Sequence, residues 1–362
     1  MLGDQHSIIL KQDSSVWSTG VTLVDGFVPS HADTLGKDFI QVMPRGATAA
    51  AAGSGYSMVL KSDGSVWAMG RNYRGQLGDG TRVRKDTFMF VKTITGARNI
   101  AAGGQHSMVL TEEGQVWASG WNKFGQLGDG FYTPRSGFFV SLSTGAQAVA
   151  VAAGDTHSVV VKRDGSVWAA GGNSYGQLGD GLQAGSSVFV MSMSSGAVDV
   201  VAGGCHSMVL KDDGSVWATG WNKYGQLGDG STIDKTKYVQ VMSSGAKIIA
   251  AGSRHSMVLG IDGSLWAAGY NEYGQLGDGS LNDSMSFMQV ILGDVTAIAA
   301  GAFHSMILKQ DGTIWGAGSN KDCQFGNGFR THYKAFTRLA PFGNGSQYNH
   351  ALRLYIDIFE II

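Results

Sequence analysis

The stretch "GGQHSMVLTEEGQVWASGWNKFGQLGDG" occupies Gly103–Gly130, and close copies of it stand about fifty residues before and after. Its core dipeptide, His-Ser or once Tyr-Ser, begins at His6, Tyr56, His106, His157, His206, His255 and His304. An apolar triplet follows each time, then a turn that is usually Asp-Gly, then a tryptophan: Trp17, Trp67, Trp117, Trp168, Trp217, Trp266 and Trp315. Self-similarity at this period means a propeller or a solenoid. Val, Ile, Thr and Trp dominate the periodic stretches and the chain holds 55 glycines, which favours strands and tight turns over helices.

Each copy therefore starts as a β-hairpin. A further short run precedes every His but the first, as in "RNIAAG" and "KIIAAG", and another follows "GQLGDG", as in "KYVQVM". Four strands per copy is a propeller blade, and seven blades make a ring in which both faces of each blade are covered, which explains strands that are apolar on both sides. The expected fold is all-β, one seven-bladed propeller of four-stranded antiparallel blades spanning residues 1–362, with a divergent tail over 340–362.

The pattern "AAGxxHSMVLxxDGSVWAxGxNxYGQLGDG" resembles the repeat of the regulator-of-chromosome-condensation family over nearly the whole chain. That resemblance implies the seven-bladed ring. It does not choose among exchange factors for the Ran GTPase, a plant ultraviolet-B photoreceptor, β-lactamase inhibitor proteins and interaction domains, because fold does not fix function. The copies step evenly by 49 to 51 residues, without the wedge and basic arm of the chromatin-binding member, and no "GWRHT" repeat supplies the photoreceptor's clustered tryptophans and arginines. The inhibitors' shorter blades do not match either.

Composition narrows the function classes. A formal charge of -1 gives no global basic field for nucleic acid, although a local patch is compatible with it. The first residues contain Asp4, His6, Lys11 and Asp13 where a signal peptide needs an unbroken apolar stretch, and no run of about eighteen apolar residues occurs. A soluble, cytoplasmic protein without membrane insertion is expected, and the two cysteines, Cys205 and Cys323, fit no structural disulfide framework. "GNSYG" at 172–176 matches G-x-S-x-G only by repeat drift, and no zinc-peptidase or P-loop motif is present. Neither an enzyme nor a cofactor is expected. The repeated histidines, and Asp79, Asp129, Asp180, Asp229, Asp278 and Asn327, suggest metal sites, but a residue needed in every blade is better explained by something every blade must build. No metal site is expected.

Function should then lie where copies differ. If Asp-Gly is a two-residue turn, His106 faces Trp121, His206 faces Trp221, Tyr56 faces Arg71, and His255 faces Tyr270. The residues just before each His vary as well, and one rim gathers Arg71, Trp121, Trp221, Arg254, Tyr270 and Phe303, types enriched among binding hot spots. This rim is the expected site for a protein partner, in a scaffold or a subunit of a larger assembly. The competing reading is that Trp121 and Trp221 merely cover strand ends. Alternative functions are nucleotide exchange on a small GTPase and inhibition of a hydrolase. The opposite rim, with turns such as "SDGS" and "RDGS", reads as solvated. Finally, the first copy lacks "GQLGDG" and its own upstream strand. "LRLYIDIFEII", Leu352–Ile362, is expected to supply that strand, or else to project as an arm toward a partner's sheet edge.

Overall fold

A computed structural model of the chain describes residues 3–20, 38–91, 94–143, 147–339 and 352–353. Among these residues there is no helix. Strands β1 (His6–Lys11), β2 (Val16–Gly20) and β3 (Ile40–Met43) form the first blade, and β4 (Ala47–Ala52), β5 (Tyr56–Lys61), β6 (Val66–Gly70) and β7 (Lys85–Phe90) the second. The four-strand cycle then repeats to give seven four-stranded antiparallel sheets, as expected.

Position within the blade dictates composition. The six innermost strands described in full carry alanines, as in "ATAAAA" of β4 and "AVAVAA" of Ala148–Ala153, because the blades crowd together around one axis. The His strands are apolar on both faces, and Met58, Val59, Val109, Val160, Val209 and Val258 are essentially inaccessible. Each blade is thus buried between its neighbours, and its outer strand alone alternates toward solvent.

The hairpin turn differs from expectation, with consequences for the site. Thr111 N donates to Gln115 O and Gly114 N to Thr111 O, at 3.0 and 2.9 Å, so the loop is Glu112-Glu113-Gly114, three residues rather than two. Gly114 has φ +76°, the left-handed third position of a type I turn closed by a bulge. His106 therefore faces Gly120, not Trp121, and likewise His206 faces Gly220, Tyr56 faces Gly70 and His255 faces Gly269. Asp63, Asp164, Asp213 and Asp262 use Oδ1 to accept from the backbone N of the serine two residues on, which fixes the turn. The neighbouring serine Oγ accepts the indole N–H of Trp67, Trp168, Trp217 or Trp266, so the Asp-Gly-Ser-x-Trp wording is structural.

Blades are locked at their outer edge by "GQLGDG". Asp79 bridges Gly137 of the next blade, and the same bridge recurs at Asp129–Val188, Asp180–Lys237, Asp229–Ser286 and Asp278–Ala335. Buried Asn72, Asn122, Asn173, Asn222, Asn271 and Asn320 hold this loop: each Oδ1 accepts from the backbone N five residues on, and each Nδ2 donates to the Asp (Asn327 in the last copy) at 2.9–3.1 Å. The ring closes in the same way, since Asn327 bridges Asp38 and Thr19 Oγ1 donates to Cys323 O at 2.9 Å. Of the tail expected to complete the first blade, only Leu352 and Arg353 are described. They pair antiparallel with Lys11 and Leu10 of β1, on the side opposite β2. Most of the closing-strand expectation lies outside the described residues. Cys205 and Cys323 are both free thiols.

Candidate partner-binding rim

One layer beneath the rim, the repeated histidines join blade to blade. His Nε2 meets the serine Oγ of the next blade at His6–Ser57 (2.9 Å), His106–Ser158 (2.8 Å), His157–Ser207 (2.9 Å), His206–Ser256 (3.0 Å) and His255–Ser305 (2.8 Å), and His304 reaches Ser7 across the closure at 3.1 Å. Ser158, Ser207, Ser256 and Ser305 donate their hydroxyl protons to Gln126, Gln177, Gln226 and Gln275 carbonyls at 2.6–2.8 Å. With that proton committed, the serine oxygen accepts, and the network assigns the imidazole proton to Nε2. Burial pushes these histidines down, to about 3 for His106, His206 and His304 and about 4 for His6, His157 and His255, so the rings stay neutral. The glycine three residues before each His is required by the same ring: a Cβ on Gly203 would stand 2.2 Å from His206 Cε1 and 2.4 Å from Gly252 O. In the second blade Tyr56 substitutes, donating its hydroxyl to His106 O at 2.5 Å.

Directly above this constant layer the chain varies. Because the turn is one residue longer, each variable residue faces another variable one: Arg71 N donates to Gly55 O, Trp121 N to Gln105 O, Trp221 N to Cys205 O, Tyr270 N to Arg254 O and Ser319 N to Phe303 O, all at 2.7–3.0 Å. The register correction leaves all six expected residues on one rim while changing their neighbours.

They do not form one patch. Trp221, Arg254, Tyr270 and Phe303 converge. The Arg254 guanidinium carbon lies 5.4–5.6 Å from the ring centroids of Trp221, Tyr224, Tyr270 and Phe303, and Nη1 donates to the Tyr224 hydroxyl at 3.4 Å. The rings also touch one another, Tyr175–Trp221 at 5.6 Å, Trp221–Tyr224 at 5.4 Å and Tyr224–Tyr270 at 4.7 Å, and Tyr273 extends the band to Phe303 and His332 at 5.5 and 5.3 Å. Trp121 belongs to a second group with Phe124, at 5.2 Å, and Arg74, at 5.7 Å. Arg71 is exposed and packs its side chain over Gly55.

Sequence reasoning missed Arg74, Phe124, Tyr175, Tyr224, Tyr273 and His332. Four of them were legible, because the aromatic before each "GQLG" stands three residues after the variable position, and a tight turn such as Asn122 O to Gly125 N folds it back. At the axial mouth Asp155 reaches water yet is walled by the ring. Burial foremost, and then Asp4, push its carboxyl up to about 6, with Arg254 opposing. Beside it burial pushes the Cys205 thiol up to about 12, which leaves it a poor nucleophile. Among the described residues no cluster of three or more His, Cys, Asp or Glu is arranged to hold a metal ion, and no helix is long and apolar enough to cross a membrane.

A ring of seven blades with this histidine and asparagine scaffold defines a class, and the comparisons agree with it. The family model of the RCC1-like domain matches residues 1–296, and that of the regulator of chromosome condensation (RCC1) repeat matches residues 295–324. The chain belongs to the RCC1-like domain family. Among solved structures it is similar to human WBSCR16, at 21% identity and TM-score 0.79, covering 94% of each chain. It is also similar to Prp20p from Saccharomyces cerevisiae, described with its binding properties to Gsp1p and histones, at 20% identity and TM-score 0.79, covering 94% of this chain and 87% of that one. A more distant likeness is the ectodomain of the Physcomitrella patens receptor kinase CR4, at 16% identity and TM-score 0.54, covering 88% and 71%. At these identities the likeness concerns the fold. No curated protein matches the sequence significantly.

Proposed function

We propose that this protein is a non-enzymatic protein–protein interaction propeller that engages its partner through the variable rim. The observation that carries this reading is the aromatic band from Tyr175 to His332, spanning four consecutive blades, with Arg254 held among four of its rings. Cluster formation alone would satisfy a cover for strand ends, but Trp221, Arg254, Tyr270 and Phe303 all remain partly accessible, and large aromatic and arginine surfaces are the usual anchors of binding. The repeated His, Ser and Asn side chains are engaged in holding the ring together, which leaves the variable residues for recognition.

The test is affinity capture from native extract with the unaltered protein, a Trp221→Ala/Phe303→Ala variant and an Asp213→Ala control. The rim variant should lose the specifically captured partner and the control should keep it. Retention by the rim variant together with loss by the control would place binding on the opposite rim. The rival readings are checked on the same preparations: accelerated nucleotide release from a loaded Ran-type GTPase would establish exchange, and slowed turnover in a hydrolase panel would establish inhibition.

A further inference from the structure

The variable rim is uneven in charge. Along blades two and three its loops, with the first residues of the strands that follow them, carry Arg71, Arg74, Arg82, Arg84, Lys85, Lys123 and Arg135 against Asp79, Asp86 and Asp129. All three carboxylates are taken, by Lys85 at 3.4 Å, Arg84 at 2.9 Å and Arg135 at 3.0 Å. Arg71, Arg74, Arg82 and Lys123 are exposed and have no carboxylate within ion-pair distance among the described residues. The matching loop of the sixth blade, 270–283, holds Glu272, Asp278 and Asp283 and no cation. Exposed apolar side chains share the cationic sector, Tyr73 at 66%, Val83 at 63%, Phe131 at 59% and Tyr132 at 58% of full accessibility. They stand on backbone that is already fixed, since Asn72 Nδ2 donates to Thr81 O and Val83 O at 3.2 Å, and Arg74 lies against Trp121.

We infer that this sector is the docking surface for an acidic segment of a protein partner, one whose carboxylates are interspersed with apolar side chains. This rests on the rim reading above and adds the chemistry of the ligand. Charge complementarity selects the sign: four unneutralised cations on a chain of net charge -1 form a local positive field facing solvent, which steers an anionic partner and fixes its register. The apolar neighbours select the kind of chain. A polyphosphate backbone needs a row of cations to bind strongly, and four is a short row. Cations separated by Tyr, Val and Phe match a peptide whose acidic residues alternate with apolar ones. Moreover, the Trp121 ring has Arg74 and Phe124 against it, so it is not an open platform for a nucleic-acid base.

The experiment is selection of a random twelve-residue peptide phage library on the unaltered protein and on an Arg71→Glu/Arg82→Glu/Lys123→Glu variant. All three side chains are on the surface and outside the ring scaffold, and the variant's melting curve confirms folding. The unaltered protein should enrich peptides rich in Asp and Glu, and the variant should not. The best peptide, measured by fluorescence anisotropy, should bind at least tenfold more weakly to the variant and weaken with salt, while Trp221→Ala changes it less than twofold. Absence of acidic enrichment overturns the inference, and so does equal binding to the variant. So does tighter binding of a twenty-residue oligodeoxythymidine than of the selected peptide. If peptides are selected but lost on Trp221→Ala and not on the charge-reversed variant, the rim reading stands and this sector is not the site.

Discussion

The two rims of this propeller are built from the same hairpins and have opposite characters. At one, the Asp-Gly turns repeat nearly word for word, each carboxylate occupied by a serine or threonine two residues on. At the other, a nearly constant layer of His, Gly, Ser and Asn lies immediately under residues that vary among the copies. Repetition follows demand. Wherever a side chain must reach the adjacent blade, as His206 reaches Ser256, the residue recurs, and one position beyond, where nothing must be reached, it is free to differ.

The strongest way to break this contrast is acid. The buried histidines have folded values of about 3 to 4 against an ordinary 6.5, so above that value they neither add nor subtract. Below it the unfolded chain takes up protons that the native ring refuses, and stability falls with pH by up to about 1.4 kcal/mol per unit for each histidine. All six are shifted in the same direction, so their effects share one sign and the loss steepens as pH falls below the ordinary histidine range. The melting temperature should drop steeply between pH 6 and pH 4. A flat profile over that range would show that the fold does not hold these six rings neutral.

Second in size is the closure. Leu352 and Arg353 pair with β1, and deletion of residues 352–362 leaves the inner edge of that strand open. We expect a marked fall in melting temperature by calorimetry, larger than for a single side-chain truncation. An unchanged curve would mean that contacts such as Asp38–Asn327, Thr19–Cys323 and Ser7–His304 suffice to close the ring and that the tail serves elsewhere.

Third, His206→Ala removes the donor to Ser256 Oγ and should cost roughly 1–3 kcal/mol in denaturant unfolding. Chelators should not change that value, and a chelator effect of equal size would contradict the hydrogen-bond account.

Legibility followed the same division. The period, the blade count and the structural standing of the histidines were readable, because packing demands that recur in every blade leave the same letters each time. The partner of each histidine was not, since Ser256 is fifty residues from His206 and is named by the fold alone. The register was misread by one residue because Asp-Gly resembles a two-residue turn, whereas the polar residue before it belongs to the loop too, as in Ser62-Asp63-Gly64, where Gly64 takes φ +74°. A strand slip of one residue exchanges the neighbours of every side chain. It therefore turned a true statement about one rim into false pairs. Splitting the six rim residues into a caged group and a cationic sector was beyond the sequence, for it depends on side-chain contacts such as those of Arg254 with four rings and of Arg74 with Trp121.

The smallest effects on stability are the ones that bear on recognition. Trp221 packs against Tyr175, Tyr224 and Arg254, and such ring contacts are worth about 0.5–1.5 kcal/mol each, so Trp221→Ala should lower the melting temperature modestly. A central anchor typically carries about 2 kcal/mol or more of binding, which is roughly thirtyfold in affinity for a captured partner. Asp213→Ala removes only a turn acceptor on the exposed rim and should leave affinity unchanged with little shift in melting. Measured together by titration calorimetry and thermal melting, the two variants separate the roles that Trp221 can play. Large loss of affinity with a small thermal shift makes it an anchor. A large thermal shift with affinity retained by the folded fraction makes it a cover for the strand ends, and the variable rim would then differ from the constant one in sequence but not in purpose.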